Sequence, residues 1–323
     1  NVASNGDLVM AGGFGSDSVK FGYTTLYNNG PAIRSDVYIT RTDPGGNFLW
    51  AKGAGGTDYD DAYAVTTDQD GNVYATGRFR SEMIHFDSVQ MNNTGSAGTD
   101  DIFLCKYNGD GVFQWAKILG GPSSDAGTCI AIATDGTVYI AGSLDGSIFI
   151  AAYSPSGNLL WLNPSVGDGI NSASKMVTGP GGVIYLTGYF GGTSITFGNL
   201  TLNNSGSSRT DGFLYSFDAS GNPRWAKQVQ GADWDEGTGL AVDPDGNLLF
   251  CGLFNSNQII IDGAVLNNTG YIYFDFFLAR FDSSGNLLWA EKGGSDSDDE
   301  ARSVTCDTLG NAYLTGTYRS QTI

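Results

Sequence analysis

The chain has 323 residues and carries 34 acidic against 16 basic residues, a formal net charge of −18 with a pI near 4.1. Such a chain lacks the basic footprint that nucleic-acid binding requires, so we expect no nucleic-acid partner. No apolar run approaches the ~20 residues of a membrane-spanning helix, so no membrane insertion is expected.

A short pattern returns along the chain and sets its organisation. It reads NGDLVMAGGF at 5–14, DGNVYATGRF at 70–79, DGTVYIAGSL at 135–144, GGVIYLTGYF at 181–190, DGNLLFCGLF at 245–254 and LGNAYLTGTY at 309–318. Five tryptophans follow similar turns, 65, 46, 64 and 64 residues apart: Trp50, Trp115, Trp161, Trp225 and Trp289. The core unit is therefore about 46 residues, the size of one four-stranded propeller blade.

Alternation and turn residues place four strands in each unit. In the second unit we predict strand A at 61–68, strand B at 72–79, strand C at 101–108 and strand D at 112–119. The A–B and C–D turns are short and rich in Asp, Gly and Asn, which is typical of antiparallel hairpins. No stretch has a useful helical period, so the sequence predicts an all-β fold with repeat boundaries near 61, 126, 172, 236 and 300.

Four units carry about 18 further residues between strands B and C. These segments, at 18–30, 83–95, 194–206 and 258–270, each contain two short alternating runs around a turn, which predicts a small extra hairpin. The third unit replaces its hairpin with a short Asp-Gly-Ser connection. Because strands alternate in direction, the B–C and D-to-A connections are expected at one face and the short turns at the other.

The chain begins and ends inside a repeat, giving five full repeats and a partial one. We therefore predict a single β-propeller domain over 1–323 that belongs to a longer protein, with the blade number left open. The four cysteines lie at unlike positions of different repeats, so buried free thiols are expected rather than a disulfide framework.

The repeated elements resemble a known family. The motifs GNxYxTGxF, TDxFLxKYD, SGNxxWAK and GGxxxDxA are similar to those of the SBBP family of β-propeller repeats across essentially the whole chain. The resemblance implies a secreted or cell-surface bacterial protein, often of Bacteroidota, and it carries no catalytic residues across. A weaker resemblance, to quinoprotein-type propellers, implies a cofactor pocket and a metal site that the sequence does not display.

No group of residues indicates catalysis. The single histidine, His85, lies in an extra hairpin without a Cys or second His at metal-ligand spacing. No glycine-rich loop opens a helix, so a phosphate cradle is not indicated. The sequence therefore favours a non-enzymatic protein.

Acidic residues cluster where strand D leads into the next strand A. An Asp or Asn at one aligned position caps backbone N–H groups in the first interpretation. In the second, clustered carboxylates bind Ca²⁺, which takes 6–8 oxygen ligands. The candidate calcium ligands are Asp58, Asp60, Asp61, Asp233, Asp235, Glu236, Asp296, Asp298 and Asp299.

Three functional hypotheses remain. The first is a secreted or cell-surface interaction module that binds a protein or a glycan through the hairpin-bearing face. The second is a structural or capping component of a larger surface assembly, and the third is a quinoprotein-type or lyase-type propeller enzyme. For the first, aromatic and apolar hairpin residues are the expected anchors, namely Tyr23, Tyr27, Ile259, Ile260 and Ile261.

Overall fold

The structure is a computed structural model that describes residues 1–95, 98–206, 209–270 and 272–322. The chain divides into two compact units, Asn1–Leu162 and Asn163–Ile323, and each is described by itself. Apart from one short 3₁₀ turn at Pro180–Gly182, the described elements are β-strands in antiparallel sheets. Within the described residues no helix is long and apolar enough to cross a membrane.

The first unit contains three sheets of repeat strands. Its strands are β1 (Leu8–Phe14), β2 (Ser18–Phe21), β3 (Thr24–Tyr27), β4 (Asp36–Thr42), β5 (Phe48–Gly55), β6 (Asp60–Thr67), β7 (Val73–Phe79), β8 (Met83–Phe86), β9 (Val89–Asn92), β10 (Asp101–Tyr107), β11 (Phe113–Leu119), β12 (Ala126–Ile132), β13 (Val138–Leu144), β14 (Ser147–Tyr153) and β15 (Leu159–Pro164). The sheet orders are β1-β4-β5-β8-β9, β6-β7-β10-β11 and β12-β13-β14-β15, with β2-β3 as a separate hairpin.

The second unit repeats this arrangement. Its strands are β16 (Val166–Gly167), β17 (Asn171–Thr178), β18 (Ile184–Phe190), β19 (Ser194–Phe197), β20 (Leu200–Asn203), β21 (Asp211–Phe217), β22 (Pro223–Gln230), β23 (Asp235–Val242), β24 (Leu248–Phe254), β25 (Gln258–Ile261), β26 (Ala264–Asn267), β27 (Asp275–Phe281), β28 (Leu287–Gly293), β29 (Asp299–Cys306) and β30 (Ala312–Tyr318). The orders are β16-β19-β20, β17-β18-β21-β22-β25-β26, β23-β24-β27-β28 and β29-β30.

The predicted order A-B-C-D is confirmed in four sheets. Strand A begins at Asp60, Ala126, Asn171, Asp235 and Asp299, within one residue of the predicted repeat boundaries. Within the first unit β12 lies beside β6, and within the second unit β23 lies beside both β17 and β29. The A strands of consecutive sheets therefore adjoin, as propeller blades require. The prediction of one closed domain stays a prediction.

The glycine of the TGxF motif is explained by a β-bulge in strand A. The register of β6 against β7 shifts between Ala62 and Ala64. A Cβ on Gly77 of β7 would lie 2.0 Å from the Asp61 carbonyl oxygen, so only glycine fits there. The same bulge and the same contact, at 1.9–2.0 Å, recur at Gly142, Gly188, Gly252 and Gly316.

The repeated tryptophan joins one sheet to the next. In three repeats the indole Nε1 donates to a backbone carbonyl in the C–D turn of the following sheet: Trp50 to Gly109 (2.9 Å), Trp115 to Pro155 (3.2 Å) and Trp225 to Ser283 (3.3 Å). The ring also packs on an aromatic of that sheet, as Trp50 does on Tyr107 at 6.1 Å. A large side chain with a satisfied N–H suits this position because it fills the gap between two sheets.

The hydrophobic core lies between consecutive sheets. One cluster joins the first two sheets and includes Val37, Phe79 and Phe103, all fully buried. Another joins the sheets of β22 and β24 and includes Val229 and Phe250. The four cysteines are free thiols, and three are buried: Cys105, Cys129 and Cys251.

Candidate interaction surface

The sheets have two chemically different ends, which we call the turn end and the hairpin end. The turn end carries the A–B and C–D turns, and the hairpin end carries the B–C and D-to-A connections. The antiparallel ladders impose this separation. Hydrogen bonds confirm it at the hairpin end, where Asp60, at the end of a D-to-A connection, accepts from Ser81, in a B–C connection.

A buried aspartate organises four of the five D-to-A connections in the described residues, and Asn171 has its place in the other. Asp60 is fully buried, and its Oδ2 accepts from the Gly56 N–H (2.8 Å) and the Ser81 hydroxyl (2.7 Å). Its Oδ1 accepts from the N–H groups of Arg80 (3.1 Å) and Ser81 (3.2 Å). The equivalent aspartates of other repeats do the same. Asp125 accepts from the Asp145 N–H, Asp235 accepts from the Ser256 hydroxyl, and Asp299 accepts from the Ser320 hydroxyl. These carboxylates are therefore backbone caps, the first of the two interpretations.

A second buried aspartate precedes strand C in the repeats that carry a hairpin. Asp101 Oδ2 accepts from the N–H (2.6 Å) and the hydroxyl (2.7 Å) of Thr94, which follows the hairpin. Asp275 does the same with Thr269, at 2.9 and 2.8 Å. In all four repeats the other carboxylate oxygen has no hydrogen-bond partner among the described residues: Asp36, Asp101, Asp211 and Asp275.

Burial governs the electrostatics of these groups. Desolvation raises the pKa of Asp36 to about 6 against hydrogen bonds from Asn29 that lower it. Burial raises the pKa of Asp60 to about 7, opposed by Ser81 and helped by the charge of Asp36. Burial raises the pKa of Asp235 to about 8, with Asp211 and Asp233 adding in the same direction. The fold thus favours protonation of these three carboxyls, whereas against desolvation the hydrogen bonds from Ser320 and Arg319 leave the pKa of the equivalent Asp299 lowered.

The predicted calcium ligands do not converge on one point. Several pair with arginines instead: Asp58 with Arg34 (3.0 Å), Asp61 with Arg78 (3.2 Å), Asp233 with Arg209 (3.2 Å) and Asp298 with Arg319 (3.3 Å). Asp60, Asp235 and Asp299 serve as caps, Glu236 is half-buried with its pKa raised by burial, and Asp296 is exposed. Across the described ranges no group of three or more His, Cys, Asp or Glu side chains is arranged to hold a metal ion.

The extra hairpins are confirmed, and two of the four add to a neighbouring sheet. β8 pairs with β5, the strand D of the preceding repeat, through Ala54↔Phe86 and Gly55↔His85. β25 pairs with β22 through Val229↔Ile261 and Gln230↔Ile260. β19 pairs with β16, which directly follows strand D of the third repeat. The hairpins of β8 and β25 therefore each clasp the sheet before them, whereas the hairpin of β19 forms a separate sheet with β16.

This pairing corrects part of the predicted anchor set. Ile259 and Ile261 are fully buried in the core beside Val229, so their side chains are not available to a partner. Alternate residues of a strand face opposite sides. In three consecutive isoleucines the sequence therefore does not distinguish the buried side from the exposed one. Ile260 remains exposed, and Tyr23 and Tyr27 are exposed at 105% and 74% of their reference areas.

The sequence leaves open whether the extra hairpins bind a partner or cover blade edges and contact neighbouring blades, and it contains a signal for the second alternative. The first strand of each hairpin has apolar residues at its second and fourth positions, as in Ile84 and Phe86 or Ile195 and Phe197. These residues are buried to within 3% of full burial. An alternating apolar pair in a projecting hairpin indicates a face that is covered by another element.

Comparison with known proteins supports a repeat fold. The chain is 26% identical over 341 residues to the Uncharacterized WD repeat-containing protein L264 of Acanthamoeba polyphaga mimivirus, an alignment that covers 83% of this chain. It is 26% identical over 324 residues to the Regulatory protein FlaEY of Caulobacter vibrioides, covering 89% of this chain. The chain spans 24% and 33% of the lengths of these relatives. No family model matches it.

These similarities and the antiparallel all-β sheets are those of a repeat protein, and the WD repeat-containing relative is consistent with a β-propeller. A WD repeat-containing relative is consistent with a module for protein interaction, and neither relative's name denotes an enzyme. The SBBP resemblance remains an expectation from the motifs.

Proposed function

We propose that these repeats form a β-propeller that acts as a non-enzymatic, extracytoplasmic interaction module and binds a protein partner through its hairpin end. The four A-B-C-D sheets and the adjoining A strands support the propeller. The SBBP-like motifs support a location outside the cytoplasm, at the cell surface or secreted.

The observation that carries the interaction proposal is a difference among the hairpins. At two exposed positions three hairpins have small polar residues or glycine: Ser88, Asn199 and Gly263 at the first, and Asn92, Asn203 and Asn267 at the second. The first hairpin has Tyr23 and Tyr27 at these positions, and both are exposed. Because the hairpin folds without aromatic residues there, the fold does not explain the two tyrosines.

Exposed tyrosines suit a binding surface. Tyrosine offers a large contact area at low cost in side-chain entropy, and it is enriched among residues that dominate binding. A further exposed apolar side chain, Ile33 at 76%, lies in the same B–C connection. We call Tyr23, Tyr27 and Ile33 the tyrosine surface.

The test replaces each tyrosine by the residue that another hairpin has at that position. Partners captured with the wild-type chain are purified, and their affinity for a Tyr23→Ser/Tyr27→Asn variant is measured. Loss of one hot spot of ~2 kcal/mol weakens binding about 30-fold, and the melting temperature should not change. The control is Val265→Thr, at an exposed position of another hairpin, which should bind like the wild type.

Equal affinity of the double variant for every partner would contradict the proposal. If binding disappears when glycans are enzymatically removed from the partner, the group that is bound is a glycan and not the protein surface. A structural role is the second candidate, and the clasping of sheets by two hairpins favours it for those hairpins.

A further inference from the structure

The third repeat leaves the strand D before it without a clasp. β13 and β14 are joined directly by Asp145 and Gly146, and no hairpin projects from this connection. In the described residues β11 is consequently the edge strand of its sheet. The unclasped strand lies between the second and third repeats.

The uncovered part of β11 can be located by comparison with the clasped strands. Ala54 and Val229, each four residues after the tryptophan of strand D, are 3% and 0% exposed beneath their hairpins. Leu119 has the same place in β11 and is only half-buried, against the core between its sheet and the next. The missing hairpin therefore leaves apolar surface and backbone edge at Leu119–Gly120.

The first half of this edge is blocked by the chain itself. The Gln114 side-chain amide donates to the carbonyl oxygens of Val112 (3.0 Å) and Phe113 (3.3 Å). A side chain that lies along the backbone in this way hinders the approach of another strand, and protecting an edge limits aggregation. The open portion is therefore confined to the end of β11, where hairpins add in the other repeats.

A charged group defines what fits this edge. In the clasped sheets the lysine two residues after the tryptophan pairs with the aspartate of the hairpin turn, as Lys227 Nζ does with Asp262 (2.6 Å) and Lys52 with Asp87 (3.6 Å). Lys117 has this place in β11, and it forms no ion pair with any described residue. The site thus offers an apolar slot, a backbone edge and an unpaired cation.

We propose that the Lys117–Gly120 edge of β11 is a strand-addition site for an extended segment of a partner protein. The segment carries an aliphatic residue, any residue, an aliphatic or aromatic residue, and then an aspartate. This is the pattern of Ile84–Asp87 and Ile259–Asp262, which occupy the equivalent edges. Main-chain hydrogen bonds supply affinity in such additions, and the alternate side chains supply specificity.

This inference rests on the proposed interaction function but uses a different surface from the tyrosine surface, so each can fail separately. The probe is a cyclised peptide with the sequence of residues 258–267, QIIIDGAVLN. Amide chemical shifts of the intact chain are followed at up to about 1 mM peptide. Shifts are expected at Leu119 and Gly120, with Val229 and Gln230 unchanged because their own hairpin protects them.

Two variants make the result specific. Lys117→Glu should weaken the peptide at least tenfold, and a peptide with lysine in place of its aspartate should recover the loss. In a second variant Asp145–Gly146 is replaced by the 258–267 hairpin, which covers the edge in cis and should abolish peptide binding. Absence of shifts at Leu119 and Gly120, or equal binding by Lys117→Glu, overturns the inference and leaves the proposal for the tyrosine surface standing.

Discussion

The turn end and the hairpin end use aspartate for the same hydrogen-bonding task in opposite surroundings. At the turn end Asp282 is partly exposed and accepts from the N–H (2.9 Å) and the side-chain amide (2.8 Å) of Asn286. These bonds lower its pKa. At the hairpin end Asp235 accepts from Ser256 but is fully buried, and burial raises its pKa to about 8.

The comparison shows whether hydrogen bonding or burial decides the pKa of these two aspartates. In water a carboxylate that gains donors is stabilised as the anion, so hydrogen bonding decides the pKa. In the interior the same donors do not offset the loss of hydration. Burial therefore decides the pKa of Asp235 at the hairpin end, and hydrogen bonding decides the pKa of Asp282 at the turn end.

The largest effect is expected from removing a clasp. Replacing Gln258–Asn267 by Asp-Gly should cost about 5 kcal/mol of unfolding free energy, since two buried isoleucines each contribute roughly 1.5–3 kcal/mol and Val229 becomes exposed. A two-residue turn fits because Asn268 N–H already donates to Asn257 O at 2.9 Å. Urea unfolding measures the change.

The matched control is the first hairpin, whose strands β2 and β3 pair only with each other among the described elements. Replacing Ser18–Tyr27 by Asp-Gly should cost clearly less. Equal losses for the two hairpins, or no loss for Gln258–Asn267, would show that the clasp does not stabilise the sheets.

The second effect concerns the buried cap. Asp235→Ala removes the acceptor of the Ser256 hydroxyl (2.7 Å) and N–H (3.3 Å) and leaves these donors buried without partners. We expect a loss of about 3 kcal/mol, the range for unsatisfied buried groups. Ser256→Ala should cost less unfolding free energy, because Asp235 then loses only the hydroxyl donor and keeps the backbone N–H of residue 256. A loss below that of Ser256→Ala would contradict the capping role.

The third effect is a dependence of stability on pH. The raised pKa values of Asp36, Asp60 and Asp235, about 6, 7 and 8, mean that the folded state keeps protons which the unfolded state releases above about pH 4. Unfolding free energy should therefore fall as pH rises from about 4 to about 8, by at most about 1.4 kcal/mol per pH unit for each carboxyl that is protonated only in the folded state. Below pH 4 this contribution is constant.

A matched pair of variants separates this linkage from the overall negative charge. Asp60→Asn/Asp235→Asn should flatten the profile, because the amide resembles the protonated carboxyl. Asp218→Asn/Asp282→Asn removes the same charge at the turn end and should leave the slope unchanged. Equal slopes in both double variants would assign the effect to net charge alone.

The sequence was sufficient to predict the local features of this fold. Strands A to D follow from apolar alternation, and the turns follow from residues that accept positive φ, such as Gly46 and Gly71. The partner of each hairpin could not be predicted, because the pairing of β25 with β22 joins segments of different repeats. The mistaken anchors have the same origin: Ile259–Ile261 are uniformly apolar, and only the pairing decides which of them is covered.

The acidic clusters show a second limit of the sequence. Asp58, Asp60 and Asp61 lie close in sequence and match the ligand chemistry of calcium. In the structure they face three different partners: Arg34, the Ser81 hydroxyl and Arg78. Carboxylates in one loop converge on an ion only if the backbone turns them inward, and sequence spacing alone does not define that turn.

The smallest effect is expected at the turn end. Asp282→Asn keeps one side-chain oxygen for the N–H groups of Asn286 and Ser284, which Asp282 Oδ1 accepts at 2.9 Å each. Only the second oxygen is lost, and the Asn286 amide that it accepts from (2.8 Å) can turn to solvent. Stability at pH 7 should change by at most about 0.5 kcal/mol.

The direction of its pH dependence is the stronger test. The pKa of Asp282 is lowered in the folded state, so its contribution is present at neutral pH and is lost as pH falls through the acidic range, opposite to Asp235. Nuclear magnetic resonance titration of the two carboxyls in the intact chain measures this contrast directly. If both titrate in the same direction from the ordinary value, the distinction between the two ends is wrong, and burial does not govern the carboxyls of the hairpin end.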